Sequence, residues 1–403
     1  MYSLQGKKIL LAMSGGIAAF KVAELARSLI QEGAEVQVAM SEAATQFMTP
    51  VTMQALTGKP VYVSQWDARI PNNMAHIELS RQADVILIAP ASADLMAKIS
   101  LGLADDLIST ICLAKECPLI VVPAMNKQMW DHPATQRNIA QLEKDSVTVL
   151  GPTSGSQACG ENGMGRMLEA HQILEGVISF FQAKVLKGKK VLITAGPTYE
   201  AIDPVRGMTN KSSGKMGFAL AQAALEAGAE VHLIAGPCHL DTPLEFTGKI
   251  RRTDVTSAQE MHSAVMNDLN FDVFLSVAAV ADWRIKNISS QKIKKEMAGS
   301  AMPPALEFEM NPDILASVAK LSVSNKKLYC VGFAAETNDL ERHAIEKRVN
   351  KNIPMLVANI GPDTFGLDEN ELLVVEEKGN QRFAKSNKLD LSRQLISLIS
   401  TKI

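Results

Sequence analysis

An amide, Asn126, stands in the segment PAMNKQMW (123–130), framed by Met125, Met129 and Trp130 at the end of an apolar run. A turn has use for asparagine but not for two thioethers and an indole. A core has use for the methionines but not for the amide. The combination suits a lined pocket in which one polar group orients a substrate. Cys159 stands in ACGENGMG, a loop with three glycines and no core around it. A thiol there suits a lid that delivers a proton or a nucleophile on closing. His76, in NNMAHIELSRQAD, is a candidate acid or base, but taken alone it reads more readily as a surface or helix-N-terminal histidine.

Three small-residue turns accompany them. SGGIAAFK (14–21) turns a strand into a helix, so Ser14, Gly15 and Gly16 expose backbone N–H groups at a helix N-terminus. Ser41 and the loop PASAD, with Pro90, Ala91 and Ser92, follow two further strands. The pattern GxGxxG is absent and no acidic residue ends VQVAMS, which excludes a Rossmann NAD site. A mononucleotide phosphate, as in FMN, fits better. Taken singly, each of these loops also reads as an ordinary turn.

The second half carries lysines and a polar helix start. NKSSGKMG places Asn210, Ser212, Ser213 and Gly214 where a helix begins, a cradle for an anion that lacks the Walker spacing of a P-loop. QKIKKEMAG (291–299) is a cationic run, and Lys347 and Lys351 lie one helical turn apart. Such lysines also read as solvated surface.

The elements that must position these residues follow from periodicity. The chain has 403 residues, 47% hydrophobic and 21% charged, which exceeds one ordinary core. A net charge of -2 gives no case for nucleic-acid or anionic-membrane binding. No apolar segment has the roughly 20 residues of a membrane span, and the N-terminus does not read as a signal peptide, so a cytoplasmic location is expected. Five cysteines form no CxxC or zinc spacing. GKKILLAMSGG (6–16) and GKKVLITAGP (188–197) each open a βαβ unit closed by Gly-Ala-Glu-Val. The expected architecture is α/β, two doubly wound domains over 1–187 and 188–403. The first is a flavodoxin-like parallel sheet. The second is a Rossmann-like sheet ending in an antiparallel hairpin with a Gly379-Asn380 turn. Residues 95–114 and 129–142 each read as one helix, and 271–283 as one strand.

At these residues a resemblance emerges. PAMNKQMW and the flap ACGENGMGRM resemble the flavin-dependent cysteine decarboxylases, with SGGIAAFK and His76 at that family's flavin loop and catalytic histidine. GPTYEAIDPVR, NKSSGKMG, KIKK and NPDI resemble phosphopantothenate–cysteine ligases. Together they cover essentially the whole chain in the order of the fused decarboxylase–ligase family of coenzyme A biosynthesis. The resemblance implies that FMN oxidises the substrate's cysteine side chain to a thioaldehyde with help from His76. Asn126 then holds the departing carboxylate, Met125 shapes the pocket, and Cys159 protonates the product.

For the ligase it implies that 4'-phosphopantothenate, cysteine and CTP react through an acyl-cytidylate. Asn210 would stabilise that intermediate and Lys292 would take the family's catalytic lysine position. Lys347 and Lys351 would hold the triphosphate with Mg2+. Ala278, Asp282, Asn311, Pro312, Asp313, Ile314 and Phe333 would line the nucleotide, with Asp282 bearing on metal or base. Homo-oligomers are implied: trimers or dodecamers through the first domain, with FMN at subunit contacts, and dimers through the second. A non-catalytic relative would lack His76 or Cys159.

Overall fold

The run KILLAM buries every residue but its first, and a strand of that kind needs cover on both faces. A computed structural model, which describes residues 3–67, 69, 74–293, 305–324, 327–336, 339–360 and 366–403, supplies that cover with helices on a parallel sheet. The strands are β1 (Lys8–Met13), β2 (Glu35–Met40), β3 (Val85–Ala91), β4 (Leu119–Pro123) and β5 (Thr148–Val149), in the order β2-β1-β3-β4-β5. The order reverses between β1 and β3, so a crevice opens beyond their carboxyl ends. A separate antiparallel flap, β6 (Thr153–Ser156) with β7 (Asn162–Arg166), precedes the helix Ala170–Phe181.

The second sheet extends from β8 (Lys190–Ala195). An inserted hairpin, β9 (Tyr199–Ala201) with β10 (Gly207–Thr209), separates β8 from the helix Lys215–Glu226. The strands β11 (Glu230–Ala235), β12 (Lys249–Asp254), β13 (Val273–Ser276), β16 (Tyr329–Glu336) and β17 (Met355–Ile360) run parallel to β8. A small ribbon, β14 (Trp283–Ile285) with β15 (Phe308–Met310), stands apart. β18 (Glu369–Glu376) and β19 (Gly379–Asn387) close the sheet antiparallel. The full order, β12-β11-β8-β13-β16-β17-β18-β19, keeps the doubly wound pattern with its reversal between β8 and β13.

Several local expectations change. Residues 95–114 form two helices, Ala93–Leu101 and Leu107–Ala114, because Gly102 turns left-handed (φ 70) and Asp106 starts a new helix with a capping box. The helix expected over 129–142 is likewise broken: Pro133 starts Pro133–Lys144 with His132 as its cap, leaving Lys127–Asp131 separate. The strand expected over 271–283 ends at Ser276, and the chain beyond it forms loop and ribbon. The last hairpin turns at Glu377-Lys378, since Gly379 already pairs with Glu376 and Asn380 with Val375.

Two compact units result, Met1–Phe181 and Gln182–Ile403. The division precedes residue 187 because Leu186 buries its side chain in the second core and donates its N–H to Ala227 O. Among the described residues no helix is long and apolar enough to cross a membrane.

Candidate active sites

In the first unit the turn after β1 is fixed by Ser14. Its Oγ donates to Pro90 O at 2.7 Å and accepts from Ser92 N at 2.8 Å, stitching β1 to β3 at the switch point. Ser14 is 3% exposed, so its hydroxyl organises the turn and does not face the crevice. Gly15 has no room for a side chain: a Cβ there would lie 2.7 Å from Ala43 Cβ. Ser92 caps the helix Ala93–Leu101 by accepting from Leu95 N.

Around this turn lies a cavity of about 530 Å³. Gly15, Gly16, Ile17 and Phe20 line one side, Ser92 and Ala93 another, and Met125, Asn126 and Met129 a third. The flap contributes Ser156 to Cys159 and Gly165 to Met167. Gly165 sits at φ +119, and a Cβ would lie 2.6 Å from Met125 O, so only glycine lets the flap approach. The Met125 N–H donates to Gly165 O at 2.9 Å across that approach.

Asn126 has two duties. Its Oδ1 accepts from Met129 N at 2.9 Å, capping the helix Lys127–Asp131, and its Nδ2 donates to Gln128 Oε1 at 3.0 Å. A carboxamide nitrogen carries two N–H groups, so one can serve a carboxylate in the cavity. Cys159 is exposed at the flap tip, whereas burial pushes the Cys112 thiol up to about 12 and Cys330 to about 11, leaving both inert.

Of the expected flavin and catalytic residues, Gly15, Gly16, Ser92, Met125, Asn126 and Cys159 converge on this cavity. Ser41, Pro90, Ala91 and His76 are not among its lining residues. The Ser41 Oγ is engaged by Ala44 N, Pro90 and Ala91 are buried in β3, and His76 lies half-buried in the first turn of the helix Ala75–Arg81. Lys21 and Arg166 line the cavity without having been singled out. The nearly buried Lys21 donates from Nζ to Met167 O at 3.1 Å and to Glu169 Oε1 at 2.8 Å. Arg166 donates to the same Glu169 oxygen at 2.6 Å. The Lys21 hydrogen bond holds the Glu169 carboxyl below the usual carboxylate range. Lys21 ends SGGIAAFK, and only the fold reveals that its side chain turns inward.

The second unit carries a cavity of about 290 Å³ beyond the carboxyl ends of β8, β13, β16 and β17. Ser212, Ser213 and Gly214 present the start of the helix Lys215–Glu226 to it, with Gly214 left-handed at φ 79. Of the expected nucleotide residues, Ala278, Asp282, Phe333 and Lys347 line it. Asn210 stands beside it, its Nδ2 donating to Ala279 O at 2.8 Å.

The remaining expected residues hold the surrounding frame. Asn311 donates to Ala281 O at 2.9 Å. Asp313 starts the helix Ile314–Ser324 by accepting from Ala316 N and pairs with Lys351. Burial opposes ionisation of Asp313, but Lys351 and the Ala316 N–H outweigh it and hold the carboxyl below its usual range. Ile314 is buried in the core, and Pro312 borders a separate open groove with His262 and Arg284.

Lys292 is exposed, and its neighbour Ile293 is clamped. The buried Asp203 accepts from Ile293 N at 3.2 Å, while Arg206 Nη2 donates to Ile293 O at 2.7 Å. Arg206 is bonded to Asp203 and, with backbone N–H groups, holds that carboxyl far below the usual range. The other lysines of KIKK, Lys294 and Lys295, lie outside the described residues.

Lys215, Asn359, Asn370 and Lys388 also line it and were not expected. Lys388 is 8% exposed and donates to Leu367 O at 2.5 Å. Burial first, and the nearby Lys215 charge second, lower its pKa. A partly desolvated cation of this kind favours an incoming polyphosphate. In the sequence it is one lysine at the start of the last helix, with nothing to mark it.

Residues 1–182 match a family model described as Flavoprotein, and residues 186–403 one described as DNA/pantothenate metabolism flavoprotein C-terminal domain. The chain is 49% identical over 400 residues to the coenzyme A biosynthesis bifunctional protein CoaBC of Vibrio parahaemolyticus serotype O3:K6, covering 98% of each. It is 45% identical over 405 residues to the protein of that name from Escherichia coli K12, covering 99% of this chain and 98% of that one. The crystal structure of the C-terminal domain of a CoaBC protein is 36% identical, covers 55% of this chain and 98% of its own, and gives a TM-score of 0.45.

Proposed function

Because the chain belongs to the family of coenzyme A biosynthesis bifunctional proteins, and so is a flavoprotein decarboxylase joined to a ligase, we propose how its residues divide the two reactions. In the second unit a carboxylate oxygen of 4'-phosphopantothenate attacks the α-phosphorus of CTP and pyrophosphate leaves. The amine of cysteine then displaces CMP from the acyl-cytidylate. Charge spreads over the phosphate oxygens in the first step, so preorganised cations stabilise its transition state. Lys347, Lys215 and Lys388 surround the cavity for that purpose, and Ser212 to Gly214 offer N–H groups at a helix start.

Lys292 adds a further charge from the clamped 292–293 segment, and Asn210 holds the intermediate. Lys351 supports the site through Asp313. Ala278 and Phe333 flank the nucleoside. Mg2+ takes few protein ligands beside phosphate oxygens, and Asp282, in the cavity lining, would be one of them.

In the first unit 4'-phosphopantothenoylcysteine loses carbon dioxide and leaves as 4'-phosphopantetheine. The cavity suits FMN: its volume is that of a cofactor site, it opens at the β1/β3 switch point, and Gly15 and Gly16 let a ligand meet the backbone. Bound there, FMN supplies the reversible two-electron chemistry that makes the carboxylate labile. Asn126 grips the carboxylate with a neutral N–H; a cation would stabilise the ground state more than the transition state. Cys159 gives its proton to the product from the flap, and His76 acts from outside this single-chain cavity. That position, together with Ile17 and Phe20, each 62% exposed at the rim, supports a homo-oligomer that completes the site. The setting is cytoplasmic.

The observation that carries this reading is the convergence of Asn126 and Cys159, from separate segments, on one cavity. Full-length protein given 4'-phosphopantothenate, cysteine, CTP and Mg2+ is expected to yield 4'-phosphopantetheine, CMP, pyrophosphate and carbon dioxide in equal amounts. ATP is expected to replace CTP poorly. Pyrophosphate release without carbon dioxide would contradict the reading.

A further inference from the structure

The flap β6–β7 is an isolated two-stranded hairpin, and such hairpins hold poorly in water without further anchorage. Its tip closes tightly: Gln157 N donates to Glu161 O at 2.8 Å and Gly160 N to Gln157 O at 2.9 Å. Three bonds tether the flap to residues 125–128. One is the backbone bond from Met125 to Gly165. The second runs from Lys127 N to Gln157 Oε1 at 3.0 Å. The third runs from Gln128 Nε2 to Glu161 Oε1 at 2.8 Å.

The second tether also reaches the thiol, since Gln157 Oε1 lies 3.9 Å from Cys159 Sγ, but it begins at a backbone N–H, whereas the third begins at the amide. Gln128 accepts from Asn126 Nδ2 through its own Oε1. The other oxygen of Glu161, Oε2, lies 3.6 Å from Cys159 Sγ, within reach of a weak S–H bond. A continuous path Asn126–Gln128–Glu161–Cys159 therefore joins the amide to the thiol, although neither Gln128 nor Glu161 lines the cavity. We propose that Gln128 and Glu161 are positioning residues of the decarboxylase, setting the Cys159 thiol in register with the carboxylate-binding Asn126. The proposal rests on the reading of Cys159 as proton donor given above.

A displacement of about 1 Å at a reacting group can cost on the order of 100-fold in rate. Loss of the latch is therefore felt in the step that uses the thiol and not in the departure of carbon dioxide. The test compares flavin-loaded wild type, Glu161→Ala, Glu161→Gln, Gln128→Ala and Cys159→Ser in single turnovers. Carbon dioxide and 4'-phosphopantetheine are measured separately, and deuterium exchange is followed in the flap peptide 153–166.

Glu161→Ala and Gln128→Ala are expected to release carbon dioxide near the wild-type rate. They should form 4'-phosphopantetheine about tenfold to a hundredfold more slowly and exchange faster in the flap. Glu161→Gln keeps one oxygen for Gln128 but turns an amide N–H, not an acceptor, toward the Cys159 S–H. It is expected to bring flap exchange back to within a few-fold of wild type while 4'-phosphopantetheine formation stays slow. Wild-type product formation by Glu161→Ala overturns the proposal. So does equal loss of both products, or failure of Glu161→Gln to restore flap protection. Cys159→Ser separates the two levels: normal product formation by that variant removes the proton-donor reading itself, whatever the Glu161 variants do.

Discussion

Asn126 caps a helix and is the proposed carboxylate ligand, and two substitutions distinguish the duties. Asn126→Ala removes both, and the cap alone costs about 1 kcal/mol. Asn126→Asp keeps a capping oxygen for Met129 N while placing a negative charge against the substrate's own. We expect Asn126→Asp to retain flavin and thermal stability and to lose about 100-fold or more in decarboxylation kcat/KM, since juxtaposed like charges cost several kcal/mol. Steady-state kinetics beside a melting curve check this; wild-type kinetics would show that the amide only caps the helix. Asn126 and Cys159 could be singled out in the sequence by their surroundings, two thioethers and an indole for one and three glycines for the other, but the helix cap at Asn126 could not. Lys21 and Lys388 were not: a lysine's burial depends on the fold around it, and sequence spacing cannot tell an inward ammonium from a solvated one.

At the scale of elements, the β9–β10 insertion carries Asp203 and Arg206 to the backbone beside Lys292. The Asp203 carboxyl is depressed in the folded chain, chiefly by Arg206. A depressed carboxylate contributes stability above its unfolded value of about 4, and that stability is lost as pH falls toward the folded value. Asp203→Asn should therefore melt below wild type at neutral pH, and the gap should close as pH drops below about 4. A gap independent of pH would deny the charge its role. Ligation should fall as well, because the segment bearing Lys292 loses its clamp. The apolar strands were legible from their runs, whereas the polar β12, KIRRTD, was not. The helix breaks at Gly102 and Pro133 escaped because periodicity continued across them while the cap chemistry of Asp106 and His132 did not.

Across the whole molecule, each unit has its own core and its own cavity at a sheet reversal. Exposed Ile17 and Phe20 at the first cavity's rim predict an assembly larger than one chain by light scattering; a monomer with full decarboxylase activity would contradict the shared-site reading. Chemical independence of the two sites is tested by measuring both half-reactions in Lys292→Ala, with CTP-dependent pyrophosphate release for one and carbon dioxide release from supplied 4'-phosphopantothenoylcysteine for the other. Loss of pyrophosphate release by about 100-fold or more with carbon dioxide release unchanged is the result expected of a residue that acts only on developing phosphate charge. Parallel loss of both activities would contradict it.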